Sequence, residues 1–122
     1  MFVVSRALYA FAGVRFNDGP LEVYWQYLDP FLLRTRLGES LLYLHSQPPL
    51  FNLFLGLALK TGDEHAVFVP TFLALGLIVY AGSFLLLRRL GVSAWIAFGL
   101  ATWMATSPSF VAYESWLFYS LP

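Results

Sequence analysis

Cysteine is absent from this chain of 122 residues. That excludes disulfides, thiolate catalysis and thiolate metal sites, and says nothing of the compartment. Charge is scarce as well. Seven basic and seven acidic side chains make up 11% of the residues and cancel to a net charge of zero, so there is neither a basic field for nucleic acid nor an acidic tail. Also missing are a glycine-rich phosphate loop, histidines paired at metal spacing, a nucleophile elbow and the aromatic-basic pattern of nucleic-acid binders. What the chain has in abundance is apolar surface: 59% of its residues are hydrophobic and 19% aromatic, with a positive mean hydropathy. A soluble domain this small cannot hide so much, and composition therefore points to an integral membrane protein.

The apolar runs divide the chain. Residues 65–87 carry no charge beyond His65, enough to cross the roughly 30 Å hydrocarbon core with some tilt. Residues 91–113 form a second crossing, expected to break at Pro108 near one end. Between them Arg88-Arg89-Leu90-Gly91 is a tight basic turn. The positive-inside rule makes that turn cytoplasmic and puts His65, Glu114 and everything before His65 on the opposite face. Residues 1–16, apolar apart from Ser5, Arg6 and Arg15, fall short of a span at about 1.5 Å each and read as part of a first membrane helix. Val14-Arg15-Phe16 supplies no signal-peptide cleavage site. A new apolar run starts within 114–122, so the chain reads as a single, incomplete transmembrane domain, a piece of a larger polytopic protein that is not expected to catalyse a reaction by itself.

Residues 17–47 form a hydrophilic outside loop. Asp29-Pro30 has the form of an N-cap and first helical residue, after which Leu33, Leu37, Leu41 and Leu44 fall on one face and Arg34, Arg36, Glu39 and Tyr43 on the other. The spacing predicts one amphipathic helix on the membrane surface. Before it, Tyr24-Trp25-Gln26-Tyr27 supplies rings of the kind that settle at head-group depth. After it, His45-Ser46-Gln47-Pro48-Pro49-Leu50 sets polar side chains against two prolines that stop one helix and suit the start of another. Such a corner can grip a lipid head group. The following segment, 48–60, reaches only about 20 Å as a helix and should not span. Its polar stripe of Asn52, Gly56 and Lys60 is expected to lie in the interface or line a cavity. The fold class expected is all-α: polytopic membrane helices with amphipathic juxtamembrane helices in the first outside loop.

The polar residues assigned to the outer face are Asp18, Glu22, Asp29, Glu39, His45, Gln47 and Glu114. Capping explains Asp29, and Arg36 three residues away accounts for Glu39. Glu22 has no distinguishing context. Asp18, in Asn17-Asp18-Gly19-Pro20, has a turn former as its bland reading. His45 and Gln47 can serve simply to close the amphipathic helix. Glu114 ends a span between aromatic residues, where an acid is costly unless it reaches water or a partner.

Taken in order, these features resemble the N-terminal part of the polytopic glycosyltransferases of the GT-C class, in the branch of the protein O-mannosyltransferases and of the transferase that adds aminoarabinose to lipid A. Asp18 matches the acid at the start of the first outside loop, and His45 to Leu50 the His-x-x-Pro-Pro-Leu motif ahead of a short juxtamembrane helix. Arg88-Arg89 matches the basic turn and Glu114 the second acid. The resemblance covers almost all of this chain and about the first quarter of a typical family member. It departs in having Asp18-Gly19 where many members have an acidic pair, and Gln47 where some carry lysine, which leaves the acceptor and the identity of the base open.

The resemblance implies a multi-pass enzyme of the plasma (inner) membrane that moves a sugar from a polyprenyl-phosphate donor to an acceptor hydroxyl with inversion. It implies Asp18 as general base, Glu114 orienting acceptor or sugar, and Arg15, His45 and Gln47 at the departing lipid phosphate. No residues suggest a metal site, and assistance by a divalent metal is left open. Two other readings stand beside it: a small non-catalytic membrane scaffold or interaction subunit, and part of a lipid-carrier flippase or transporter. The last predicts polar residues inside the spans, and 65–87 has little beyond Thr71, Tyr80 and Ser83.

Overall fold

The computed structural model describes residues 1–23, 28–43 and 48–117. All named elements among them are α-helices: α1 Phe2–Phe11, α2 Pro20–Val23, α3 Pro30–Thr35, α4 Leu37–Leu42, α5 Pro49–Leu59, α6 Glu64–Arg89, α7 Ala94–Thr106 and α8 Pro108–Glu114. The all-α expectation therefore holds, and local chemistry explains most of the boundaries.

The axis of the molecule is α6, whose 26 residues make a rod of about 39 Å. Asp63 caps it by accepting the Ala66 N–H at 3.1 Å. At the other end Gly91, at φ 85°, allows a Schellman closure: the Gly91 N–H donates to Arg88 O and the Val92 N–H to Leu87 O, both at 3.1 Å. Pro70 lies within the helix, where its missing N–H leaves one backbone carbonyl without its usual donor. Among the described residues α6 is the one helix long and apolar enough to cross a bilayer, and few of its side chains are covered by protein.

Antiparallel to α6 runs α7, which buries Ala97, Ala101 and Ala105 at four-residue spacing so that the backbones come close. The Tyr80 and Thr102 hydroxyls meet across the pair at 3.2 Å. The break expected at Pro108 is present. Ser107 takes an extended ψ of 142° and caps α8, its Oγ accepting the Phe110 N–H.

A break in a helix leaves carbonyls without donors, and α1 supplies two. Tyr9 Oη donates to Thr106 O at 3.0 Å, and Arg6 Nη1 to Ala105 O at 2.8 Å. The chain from α1 onward descends beside α6 in the opposite sense, with Phe2 stacked on Tyr80 at 5.9 Å and Phe16 edge-on to Phe72 at 5.3 Å.

The loop helices differ from expectation in two respects. Asp29 caps α3 as predicted, accepting the Phe31 N–H at 2.7 Å. However, the single surface helix is broken at Arg36 (φ −134°, ψ 43°) into α3 and α4. Gly38 in the next turn weakens a continuous helix there. The bend lets Leu33 and Leu37 both be buried against α5, where Leu37 fills the space that a Gly56 side chain would need. Leu44 of the predicted stripe lies outside the described residues.

The polar stripe of α5 faces protein at two of its three positions, not a lipid interface or cavity. Asn52 is fully buried; its Oδ1 accepts the Leu28 N–H at 3.0 Å and its Nδ2 donates to Pro48 O at 3.1 Å. The stripe exists because α3 and α4 need a hydrogen-bonding post and a gap. Lys60 alone is exposed. Asn52→Ala is expected to cost about 1–3 kcal/mol, since it strands a buried N–H; thermal unfolding in detergent measures it. With 11 residues, or about 16 Å, α5 is short of a span. It packs on the Glu64 half of α6, Phe54 against Phe68 at 5.7 Å.

Candidate functional site

An isolated parallel bridge joins the two ends of the described chain. The Asn17 N–H donates to Ser115 O at 2.7 Å and the Leu117 N–H to Asn17 O at 2.9 Å. This places the Asn17-Asp18 corner beside the end of α8, with Asp18 at the Glu64 end of α6 and the Glu114 carboxylate at the level of Gly76, midway along that helix.

The turn at Asn17-Asp18-Gly19 is made by Asn17, whose Oδ1 accepts the Gly19 N–H at 2.9 Å. Asp18 is thereby released from the turn-forming role that would explain it away. Its carboxylate instead meets His65 in the first turn of α6, Oδ2 to Nε2 at 3.0 Å, with 36% and 53% of the two side chains exposed. The rings of Phe16 and His65 stand nearly perpendicular, their centres 6.0 Å apart.

Beside this pair a cavity of about 360 Å³ opens between α1, α6 and α8, lined by Arg6, Tyr9, Arg15, His65 and Glu114 among apolar side chains. Arg15 is exposed and, among the described residues, has no ion pair, so its guanidinium is free for a ligand anion. The cavity wall runs down α6 from His65 to Leu73, about 12 Å along the helix axis.

Glu114 lies deeper and is 2% exposed. Both its oxygens are held by Arg6: Nε donates to Oε1 at 3.0 Å, and Nη2 pairs with Oε2. Arg6 Nη1 donates to Ser5 Oγ and Ala105 O, which leaves the guanidinium one N–H of five. Its carbon lies 4.0 Å from the centre of the Phe2 ring. The carboxylate fits because α6 has no side chain at that level. A Cβ on Gly76 would stand 2.7 Å from Glu114 Cδ.

The residues singled out from sequence thus separate. Arg15 and Glu114 are brought into the wall of one cavity, while Asp18 lies at the Glu64 end of α6 and the Glu114 carboxylate at its middle. His45 and Gln47 lie outside the described residues. Sequence reasoning gave no role to Arg6 or His65. A lone arginine in an apolar helix is itself a signal that a partner exists, and Glu114 was the acid in need of one. No local pattern marks His65 as the partner of Asp18. Among the described residues no group of three His, Asp or Glu side chains is placed to hold a metal ion. The chain matches no protein-family model, no curated protein and no solved structure.

Proposed function

We propose that the chain contributes the donor-phosphate and proton-accepting side of a membrane glycosyltransferase that uses a polyprenyl-phosphate sugar. The observation that carries this reading is the convergence of a free arginine, Arg15, and an imidazole, His65, in the wall of one cavity at the end of a membrane-length helix, with the Asp18 carboxylate behind the imidazole. Inverting transfer needs those two elements. One is a cation where the leaving phosphate gathers charge, and the other is a base where the acceptor hydroxyl loses its proton. A cavity that begins at the helix end and continues along its apolar flank suits a head group whose tail stays in lipid. Glu114, with both oxygens taken by Arg6, serves this site by holding α1 and α8 in place.

The arrangement in the membrane belongs to the same proposal. It is multi-pass, in the plasma (inner) membrane, with α6 as one crossing and α7 plus α8 as a broken second one, about 31 Å if laid end to end. Because the chain has no cysteine, single substitutions report unambiguously. Lys60→Cys is expected to react with an impermeant thiol reagent added outside intact cells and Arg89→Cys only after permeabilisation. The same accessibility at both positions would overturn the topology.

Arg15→Ala in the full chain is expected to raise the donor KM at least tenfold, with little change in kcat, as charge-assisted contacts to a phosphate are lost. Unchanged transfer in Arg15→Ala and in Asp18→Asn would instead favour the non-catalytic scaffold.

A further inference from the structure

We infer that the proton of the acceptor hydroxyl goes to His65, with Asp18 as the residue that orients it. This deepens the transferase reading and rests on it. The ground is that His65 lines the cavity while Asp18 does not, although Asp18 is the acid the sequence singles out.

The carboxylate of Asp18 sets the tautomer of the imidazole by its charge. Nε2 stands 3.0 Å from Oδ2, where a ring lone pair would be repelled by the carboxylate, so the neutral ring carries its proton on Nε2 and keeps its lone pair on Nδ1, which has no hydrogen-bond partner among the described residues. The Phe16 ring packs beside the imidazole, centroid to centroid 6.0 Å. A carboxylate that holds a histidine in one tautomer, leaving the other nitrogen to take a proton, is the division of labour found in nucleophile-activating triads. The remaining charged groups nearby are accounted for. Arg6 and Glu114 satisfy each other, Glu64 is paired with Arg34 at 3.1 Å, and Arg15 stands free across the cavity.

The step balances. The acceptor O–H bond breaks and its proton passes to His65 Nδ1, while the acceptor oxygen forms a bond to the anomeric carbon. The bond from that carbon to the phosphate oxygen breaks with its electron pair, which stays on the lipid phosphate. Asp18 remains a carboxylate facing the imidazolium, and the proton then returns to solvent through the exposed face of the ring.

The test uses the assembled transferase that contains this chain, in proteoliposomes with farnesyl-phosphoryl sugars carrying labelled mannose, glucose, galactose or aminoarabinose, and scores label transferred to any acceptor, water included. His65→Ala is expected to lower kcat about 10²- to 10⁴-fold with donor KM within about threefold of wild type, and added imidazole is expected to restore part of the loss. Asp18→Asn is expected to lower kcat by a similar order through the wrong tautomer, without rescue. A half-exposed side chain is no part of the core, so an unchanged melting temperature in His65→Ala separates loss of chemistry from loss of fold. Wild-type kcat in His65→Ala beside an inactive Asp18→Asn would make Asp18 the base, and loss without imidazole rescue would make His65 structural. Either result overturns the inference and leaves the transferase reading standing. No transfer by the wild-type assembled transferase from any of the four donors, or wild-type rates in both variants, would overturn the transferase reading as well.

Discussion

Arg6→Leu is expected to cost about 3–5 kcal/mol, because it strands the Glu114 carboxylate without its charge partner at a site only 2% exposed. Besides the Glu114 contacts, the substitution removes the donor that satisfies Ala105 O at the end of α7. Detergent-resistant folding, followed by SDS titration or by protease protection of α1, should collapse. The double variant Arg6→Leu with Glu114→Leu is expected to recover most of that loss, since an ion pair replaced on both sides by apolar groups is often neutral. Equal instability of the single and double variants would show that the charges are not what couples α1 to α8.

Gly76→Ala is the second large effect. The added methyl would stand 2.7 Å from Glu114 Cδ and 2.8 and 3.0 Å from its oxygens, and the carboxylate cannot swing aside while Arg6 grips it at both oxygens. Overpacking at a fixed neighbour costs about 1–3 kcal/mol. Gly82 on the same helix is the internal control, because a Cβ there meets nothing within 4 Å; Gly82→Ala is expected to be neutral or stabilising by up to about 1 kcal/mol. Melting of the two variants side by side decides the matter, and equal behaviour would mean that α8 does not approach α6 as described.

These two predictions concern contacts that were only half legible. The acid at Glu114 announced its need of a partner by its cost in an apolar setting, and Arg6 announced the same from 108 residues away. Nothing local joined them. The same holds for Asp18, where the turn signal in Asn17-Asp18-Gly19 was real but belonged to Asn17, because either Asx side chain can make that turn. Of the α5 stripe, Asn52 meets the Leu28 amide ahead of α3 and Gly56 meets Leu37 of α4, where a lipid interface or cavity was expected, and Lys60 alone is exposed. Periodicity reports which side of a helix differs; it carries no information about what lies opposite.

The sequence by itself determined the helical class and where most helices begin and end. Asp29-Pro30, Pro48-Pro49, Gly91 and Pro108 act on their own backbone through fixed φ, missing donors or permitted left-handed turns, interactions that span a few residues and hold in any tertiary setting. Only the tertiary structure decided which polar groups meet. Arg6 with Glu114, Asp18 with His65 and Asn52 with the Leu28 amide are each joined across separate elements, and a side chain's choice of partner is fixed by which helix faces are packed together, a property of the whole bundle that no short window of residues contains.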